Sequence, residues 1–279
     1  QPIMQFATGE LTMADSNMSF YPEGLPANRW RLFSIPGIID SNEIKPNDLE
    51  DGHVFYDWDP VAESWFKPDS IVIGRAYWFK HKYDEPVIFS NKDTTGYSVP
   101  LESYEIKLHQ GANMVGSPFP FPVRAEWNEG VSQPYKYGSD FKEGWADTNV
   151  FEPWAGYAVQ STSDSGKITF YPIQDTTIAA RTANSDWRLN LDLSSNSSFD
   201  RTSAIGRCDA CEENVDMNDM LLLPSLTQRV YISLDISNDG QFDHSKDLRS
   251  TSEFNGIWNM RVNRSCLLYT SPSPRDTDK

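Results

Sequence analysis

One signature occurs twice in this chain, and it limits the possible folds more than any other feature. Trp30-Arg-Leu-Phe-Ser-Ile-Pro36 reads as a strand ending in a turn, and Gly74-Arg-Ala-Tyr-Trp-Phe79 follows about 40 residues later. Asn113-Met-Val-Gly-Ser-Pro118 and Trp154-Ala-Gly-Tyr-Ala-Val159 repeat the pair at nearly the same spacing. The copies lie about 80 residues apart, whereas solenoid repeats run to roughly 20–50 residues. A duplicated β unit is the fold this implies. The recurring residues are turn formers and large aromatics, which fill cores and supply neither a nucleophile nor a proton-transfer pair.

Local patterning agrees. Nine Trp, 18 Pro and 16 Gly are scattered along 279 residues, which favours short strands and turns over long helices. Predicted strands in the duplicated region are Arg31–Ile35, Val54–Trp58, Ala76–Lys80, Pro86–Phe89, Tyr104–Leu108, Met114–Gly116, Gly156–Gln160 and Ile168–Tyr171, with a short helix over Pro46–Asp51. In Tyr104-Glu-Ile-Lys-Leu108 apolar and polar residues alternate, so one face meets a core and the other meets water. A Thr/Ala/Asn-rich joint, Asp175 to Ser185, leads to a third stretch with strands at Trp187–Asp192, Arg229–Leu234 and Ile257–Val262. The expected fold class is all-β: a duplicated β domain over 29–174, then a β-sandwich-like domain over 186–265 that is truncated before its last strand. Losing that strand would leave a sheet edge open to pairing with other chains. Residues 1–28 read as the end of a preceding domain plus a linker.

Forty acidic residues against 24 basic ones give a net charge of −16, and no Lys/Arg cluster stands out. Phosphate backbones and anionic membranes need local positive potential, so nucleic acid and membrane surfaces are poor partners. No run of about 18 apolar residues is present to insert into a bilayer. Cys208 and Cys211 form Cys-Asp-Ala-Cys, and no second pair follows to complete the four ligands of a zinc site. A local disulfide or two incidental thiols suits this polar, acidic stretch better than a redox motif opening a helix.

The best cation candidate is Asp235-Ile-Ser-Asn-Asp-Gly-Gln-Phe-Asp243, with Asp235, Ser237, Asp239, Gln241 and Asp243 as calcium ligands. Alternating oxygens around a glycine turn suit a hard cation. The twelfth position, however, is Lys246 where an EF-hand carries Glu, and Asn-Asp-Gly is also a strong hairpin signal. Calcium loop and bare turn both remain open. A second acidic group, Asp209, Glu212, Glu213, Asp216 and Asp219, fits no loop template.

Catalytic patterns are thin. His53, His81, His109 and His244 stand in no nucleophile–base context, and neither G-x-S-x-G nor H-E-x-x-H occurs. Asp57, Asp59, Asp84, Glu85, Glu126 and Glu152 lie among Trp and Tyr, where two carboxylates a few ångströms apart would serve glycoside hydrolysis. Nothing in the pattern selects a pair. Trp residues also offer ring faces for sugars. Those in the repeat read as core, while Trp65 and Trp145 have charged and polar neighbours and are the ligand-binding candidates.

Taken in order, Trp30-Arg-Leu-Phe-Ser-Ile-Pro, Tyr56-Asp-Trp58, Gly74-Arg-Ala-Tyr-Trp78, Ile106-Lys-Leu-His-Gln-Gly-Ala-Asn-Met-Val-Gly-Ser-Pro-Phe119 and Glu152-Pro-Trp-Ala-Gly-Tyr157 resemble a module of large secreted bacterial proteins of the Bacteroidota type. Trp187-Arg-Leu-Asn-Leu, Gly206, Asp216-Met-Asn-Asp219 and Trp258 are similar to the segment that accompanies it. The resemblance implies an extracellular or outer-surface location, fibronectin-like or immunoglobulin-like neighbours and type IX secretion. It speaks to architecture rather than activity. Cys266-Leu-Leu-Tyr-Thr-Ser-Pro-Ser-Pro-Arg-Asp276 resembles a translated sequencing adapter, which sets residues 266–279 apart from the fold. The function expected is that of a non-catalytic structural, spacer or adhesive module, with polysaccharide or other surface proteins as partners. A carbohydrate-binding module of a larger secreted hydrolase is the alternative.

Overall fold

The computed structural model describes residues 4–7, 10–13, 27–36, 52–82, 97–100, 102–119, 121–138, 144–174, 187–196, 198–216, 218–227, 230–251 and 256–264. The described residues form an all-β fold with no helix. In chain order the strands begin with β1 (Met4–Ala7), β2 (Glu10–Met13), β3 (Arg31–Ser34), β4 (His53–Asp59), β5 (Ser64–Phe66), β6 (Ala76–His81) and β7 (Tyr97–Pro100). Next come β8 (Tyr104–Lys107), β9 (Gly111–Gly116), β10 (Val123–Trp127), β11 (Tyr135–Tyr137), β12 (Trp145–Asp147), β13 (Gly156–Ser161) and β14 (Lys167–Gln174). The third stretch supplies β15 (Trp187–Asn190), β16 (Leu193–Ser194), β17 (Phe199–Asp200), β18 (Ala204–Cys208), β19 (Met220–Leu221), β20 (Val230–Asp235), β21 (His244–Ser250) and β22 (Asn259–Arg264). The helix expected over Pro46–Asp51, the strand expected at Pro86–Phe89, the joint at 175–185 and the tail at 266–279 lie outside the described residues.

Two four-stranded sheets share one strand order, β3-β6-β4-β5 and β9-β13-β11-β12. In each, the first strand pairs with the fourth, the fourth with the second, and the second with the third. The registers also match. Ser34 lies opposite Ala76 as Gly116 lies opposite Gly156, and Tyr77 faces Phe33 as Tyr157 faces Val115. Trp58 lies opposite Trp65 in one sheet, and Tyr137 opposite Trp145 in the other. The paired signatures of the sequence therefore occupy equivalent places.

The two sheets meet reciprocally. The Ser34 amide donates to the Trp154 carbonyl at 3.3 Å, and its counterpart Gly116 donates to the Gly74 carbonyl at 3.1 Å. Both acceptors adopt left-handed backbone, with φ of 85° at Gly74 and 64° at Trp154. Positions near this local two-fold meet their own counterparts. A Cβ on Gly116 would overlap the Ser34 side chain, and one on Gly156 would come within 2.9 Å of the Ala76 Cβ. One member of each pair must therefore lack a side chain, as close backbone approach requires.

Alternation along the strands then divides the core. Leu32 and Trp78 from one sheet, with Met114 and Ala158 from the other, join Trp30, Tyr135, Tyr137 and Trp145 in a shared cluster. Trp78 and Tyr137 lie edge to face at 4.4 Å, and Tyr137 and Trp145 at 5.1 Å. The opposite face of the second sheet presents Val115, Tyr157 and Val159 to Leu108, Val123, Ile168 and Phe170. Several of these come from the sheet β10-β14-β8, giving a two-layer sandwich. Full burial of such side chains contributes about 1.5–3 kcal/mol each.

The third stretch forms the sheet β15-β18-β21-β20-β22, with β19 on β21 and β18 parallel to β21. It docks on the repeat and adds Met220 and Leu223 to the shared aromatic cluster. Arg188 pairs with Asp147 at 3.0 Å, the Leu221 amide donates to the Gln160 side-chain carbonyl at 3.0 Å, and Tyr137 and Thr227 share a hydroxyl–hydroxyl bond. At the outer strand β22, Met260 and Val262 are 46% and 63% exposed. No helix in the described residues is long and apolar enough to cross a membrane.

Candidate functional site

A cleft of about 740 Å³ runs between the repeat and the third stretch. Trp58, at the end of β4, forms part of its wall, held by an indole N–H bond to the Ala112 carbonyl at 2.8 Å. The turn after β4 carries Glu63 at φ 47° and is closed by Asp59, whose carboxylate accepts the Val61 and Ala62 amides at 2.9 and 3.0 Å. Those bonds hold the Asp59 carboxyl below its ordinary range. The third stretch contributes Tyr231 from β20, and Phe242 and Asp243 from the loop before β21. Arg261 lies 4.1 Å from the Phe242 ring centre. Asp200, on the same wall, is buried and accepts from the Thr202 amide, the Thr202 and Ser203 hydroxyls and the Ile232 amide at 2.6–2.9 Å. Its acceptor capacity is used internally, which makes it a support for the wall rather than a free ligand group.

The proposed calcium residues sit in the hairpin between β20 and β21. Asp235 is buried and closes the turn, accepting the Asp239 amide at 3.2 Å and the Gly240 amide at 3.0 Å. Asn238 and Gly240 take the left-handed conformation that this turn needs, at φ 54° and 84°. Asp239 accepts the Gln241 amide at 2.8 Å, Asp243 pairs with His244 at 2.7 Å, and Ser237 is exposed. Among the described residues no group of three or more His, Cys, Asp or Glu side chains converges. The structure thus brings Asp235, Asp239 and Gly240 together through backbone amides and leaves Asp243 engaged elsewhere.

Burial corrects the reading of the tryptophans. Trp145, expected at the surface, is 1% exposed in the shared core and backs the cleft. Trp65 occupies the equivalent position in the first sheet and is half-buried, 4.7 Å from Trp58 and 6.3 Å from Trp78. The charged residues that flank them, Glu63, Lys67 and Asp147, are two positions away, at or beyond the ends of these three-residue strands, where the chain emerges from the core.

Of the carboxylates considered for sugar cleavage, Asp57 and Asp59 lie two apart on β4 and both feel the charge of Arg75, while Glu126 and Glu152 have separate partners. Asp57 pairs with Arg75 at 2.6 Å; burial lifts its carboxyl above the ordinary value and the guanidinium pulls it part of the way back. Glu152 pairs with Lys136, and Glu126 accepts the Tyr171 hydroxyl at 3.1 Å. Asp84 and Glu85 lie outside the described residues.

Sequence reasoning missed the interior charge at Asp219 and Lys246. Burial pushes the Asp219 carboxyl up to about 7 even though it accepts the Asp216 and Leu248 amides. Burial, with Arg188 nearby, pushes the Lys246 ammonium down to about 8. Lys246 drew notice only as a mismatch at the twelfth calcium position, and the signal available was its place in a strand, next to Met220 of β19. Nearby, Cys208 and Cys211 form a disulfide with their Cα atoms 5.3 Å apart, and both are buried. Compared with known proteins, the chain matches no family model, no curated protein and no solved structure.

Proposed function

We propose that this chain is a non-catalytic structural module of a secreted or cell-surface protein, serving as a spacer or adhesive segment. One observation carries the reading: the aromatic and glycine signatures are consumed in the reciprocal joint between the two sheets. Trp30, Tyr77, Trp78, Trp154 and Tyr157 are all buried. The described acids among them, Asp57, Asp59, Glu126 and Glu152, are each engaged by a base, a hydroxyl or backbone amides. General acid–base hydrolysis would need two of them to face a common substrate.

The Cys208–Cys211 disulfide supports an oxidising compartment, and the net charge of −16 keeps such a module soluble. The test is turnover. The intact chain is incubated with chromogenic glycosides, aryl esters and casein, and none is expected to be consumed. Turnover that disappears in Asp57→Asn or Glu152→Gln would overturn the proposal.

A further inference from the structure

We infer that the cleft between the repeat and the third stretch binds a neutral saccharide, a role beyond the structural one and independent of it. The cleft is assembled from distant parts of the chain: Trp58 and Glu63 from the first sheet, Tyr231, Phe242 and Asp243 from the third stretch. Small-ligand sites favour such junctions, and about 740 Å³ falls within their usual range of roughly 300–1,000 Å³.

Its chemistry selects the ligand class. Trp58, Tyr231 and Phe242 line the cleft and are half-buried, with the Arg261 guanidinium already packed over one face of the Phe242 ring at 4.1 Å. Flat apolar faces of this kind match the C–H faces of a pyranose ring. The ionisable lining residues are Glu63, Asp200 and Asp243, with no Lys, Arg or His among the described lining. Carboxylates accept hydrogen bonds, and sugar hydroxyls donate them; a phosphate, sulfate or uronate would be repelled. Glu63 is exposed and has no hydrogen-bond partner among the described residues, so it is the acceptor left for a ligand. Behind the wall, the buried Trp145 indole N–H has no acceptor among the described residues. That N–H is closed off from the cleft, so it lies beyond the reach of a bound ligand.

The experiment titrates the intact chain with neutral hexasaccharides, read by tryptophan fluorescence and calorimetry. The probes are β-1,4-glucosyl, β-1,4-xylosyl, β-1,3-glucosyl, β-1,4-N-acetylglucosaminyl and α-1,4-glucosyl oligomers. At least one is expected to saturate. Phe242→Ala and Tyr231→Ala should each weaken that binding about tenfold or more, and Glu63→Gln, an exposed substitution that leaves folding intact, should weaken it several-fold. Tyr171→Ala, outside the cleft lining, should leave it unchanged. The inference is overturned if no oligomer binds, if binding survives Glu63→Gln and Phe242→Ala undiminished, or if choline binds where the sugars do not. Sugar bound without cleavage leaves the structural proposal standing, whereas cleavage would overturn that proposal alone.

Discussion

Tyr77 and Tyr157 show at single-residue scale how the two sheets are built. Each ring is fully buried, and each hydroxyl accepts a backbone amide from five residues earlier: Val72 at 2.9 Å and Glu152 at 2.6 Å. The bond fixes the chain as it enters the strand, next to the left-handed residue that turns a carbonyl toward the other sheet. Burial also pushes the Tyr77 phenol up to about 12, so it stays neutral. Tyr77→Phe keeps the ring and removes the acceptor, leaving a backbone N–H without a partner. Such a loss costs about 1–3 kcal/mol. Tyr157→Phe should cost a similar amount, because the geometry is repeated. Urea unfolding of both variants checks this, and midpoints equal to that of the parent chain would show that the hydroxyls hold nothing.

Elements differed in how readable they were before the structure. Strands that carry a signature residue emerged with nearly correct ends: Arg31–Ile35 became Arg31–Ser34, and Gly156–Gln160 became Gly156–Ser161. β5, β11 and β12 went unseen because three residues are too few to display a period. β21 went unseen for another reason. His244-Ser-Lys-Asp-Leu-Arg-Ser250 looks solvated, yet its first five residues are buried. Ser245 and Asp247 find partners inside, the Ser245 hydroxyl on the Met220 carbonyl at 3.3 Å and Asp247 on Arg249 at 2.8 Å, and no linear pattern reveals such pairing. Of the cleft, the sequence showed Trp145 but misjudged its exposure, and it gave no sign that Trp58, Tyr231 and Phe242 would share a wall, because that depends on docking between distant segments. The hairpin before β21 was readable as a turn from Asn-Asp-Gly. Its stability rests on the Asp235 carboxylate, so Asp235→Ala should lower stability by about 1–3 kcal/mol, equally with calcium and with a chelator. Thermal melts under both conditions decide, and a loss confined to the calcium sample would assign the loop to a metal.

At the scale of the whole molecule, two contacts set how the parts cohere. The first is the local two-fold, where Ser34 occupies the space that a Gly116 side chain would need. Gly116→Ala should destabilise by about 1–3 kcal/mol or more, and adding Ser34→Gly should restore much of it by vacating that space. Denaturation that found the two changes simply additive would refute a shared site. The second contact is where Asp219, just before β19, and Lys246, in β21, are buried near the repeat. Arg188, Asp147, Asp216 and Asp247 are the charges around them. Folded Asp219 keeps its proton to about pH 7, whereas an unfolded Asp releases it near 3.8. Between those values the folded state binds more protons, so this group's contribution to stability falls as pH rises. Lys246 acts in the opposite sense: folded, it loses its proton near 8, against 10.5 when unfolded, so its contribution rises with pH across that interval. Together they place a minimum between about pH 7 and 8. Asp219→Asn keeps an oxygen for the Leu248 amide and removes the titration. The stability difference between parent and variant, which cancels the chain's other carboxylates, should therefore change steadily from about pH 4 to 7 in the direction of a weakening parent, and then level off. A difference that stays flat across that range would mean that Asp219 is ionised in the fold and that its burial carries no cost.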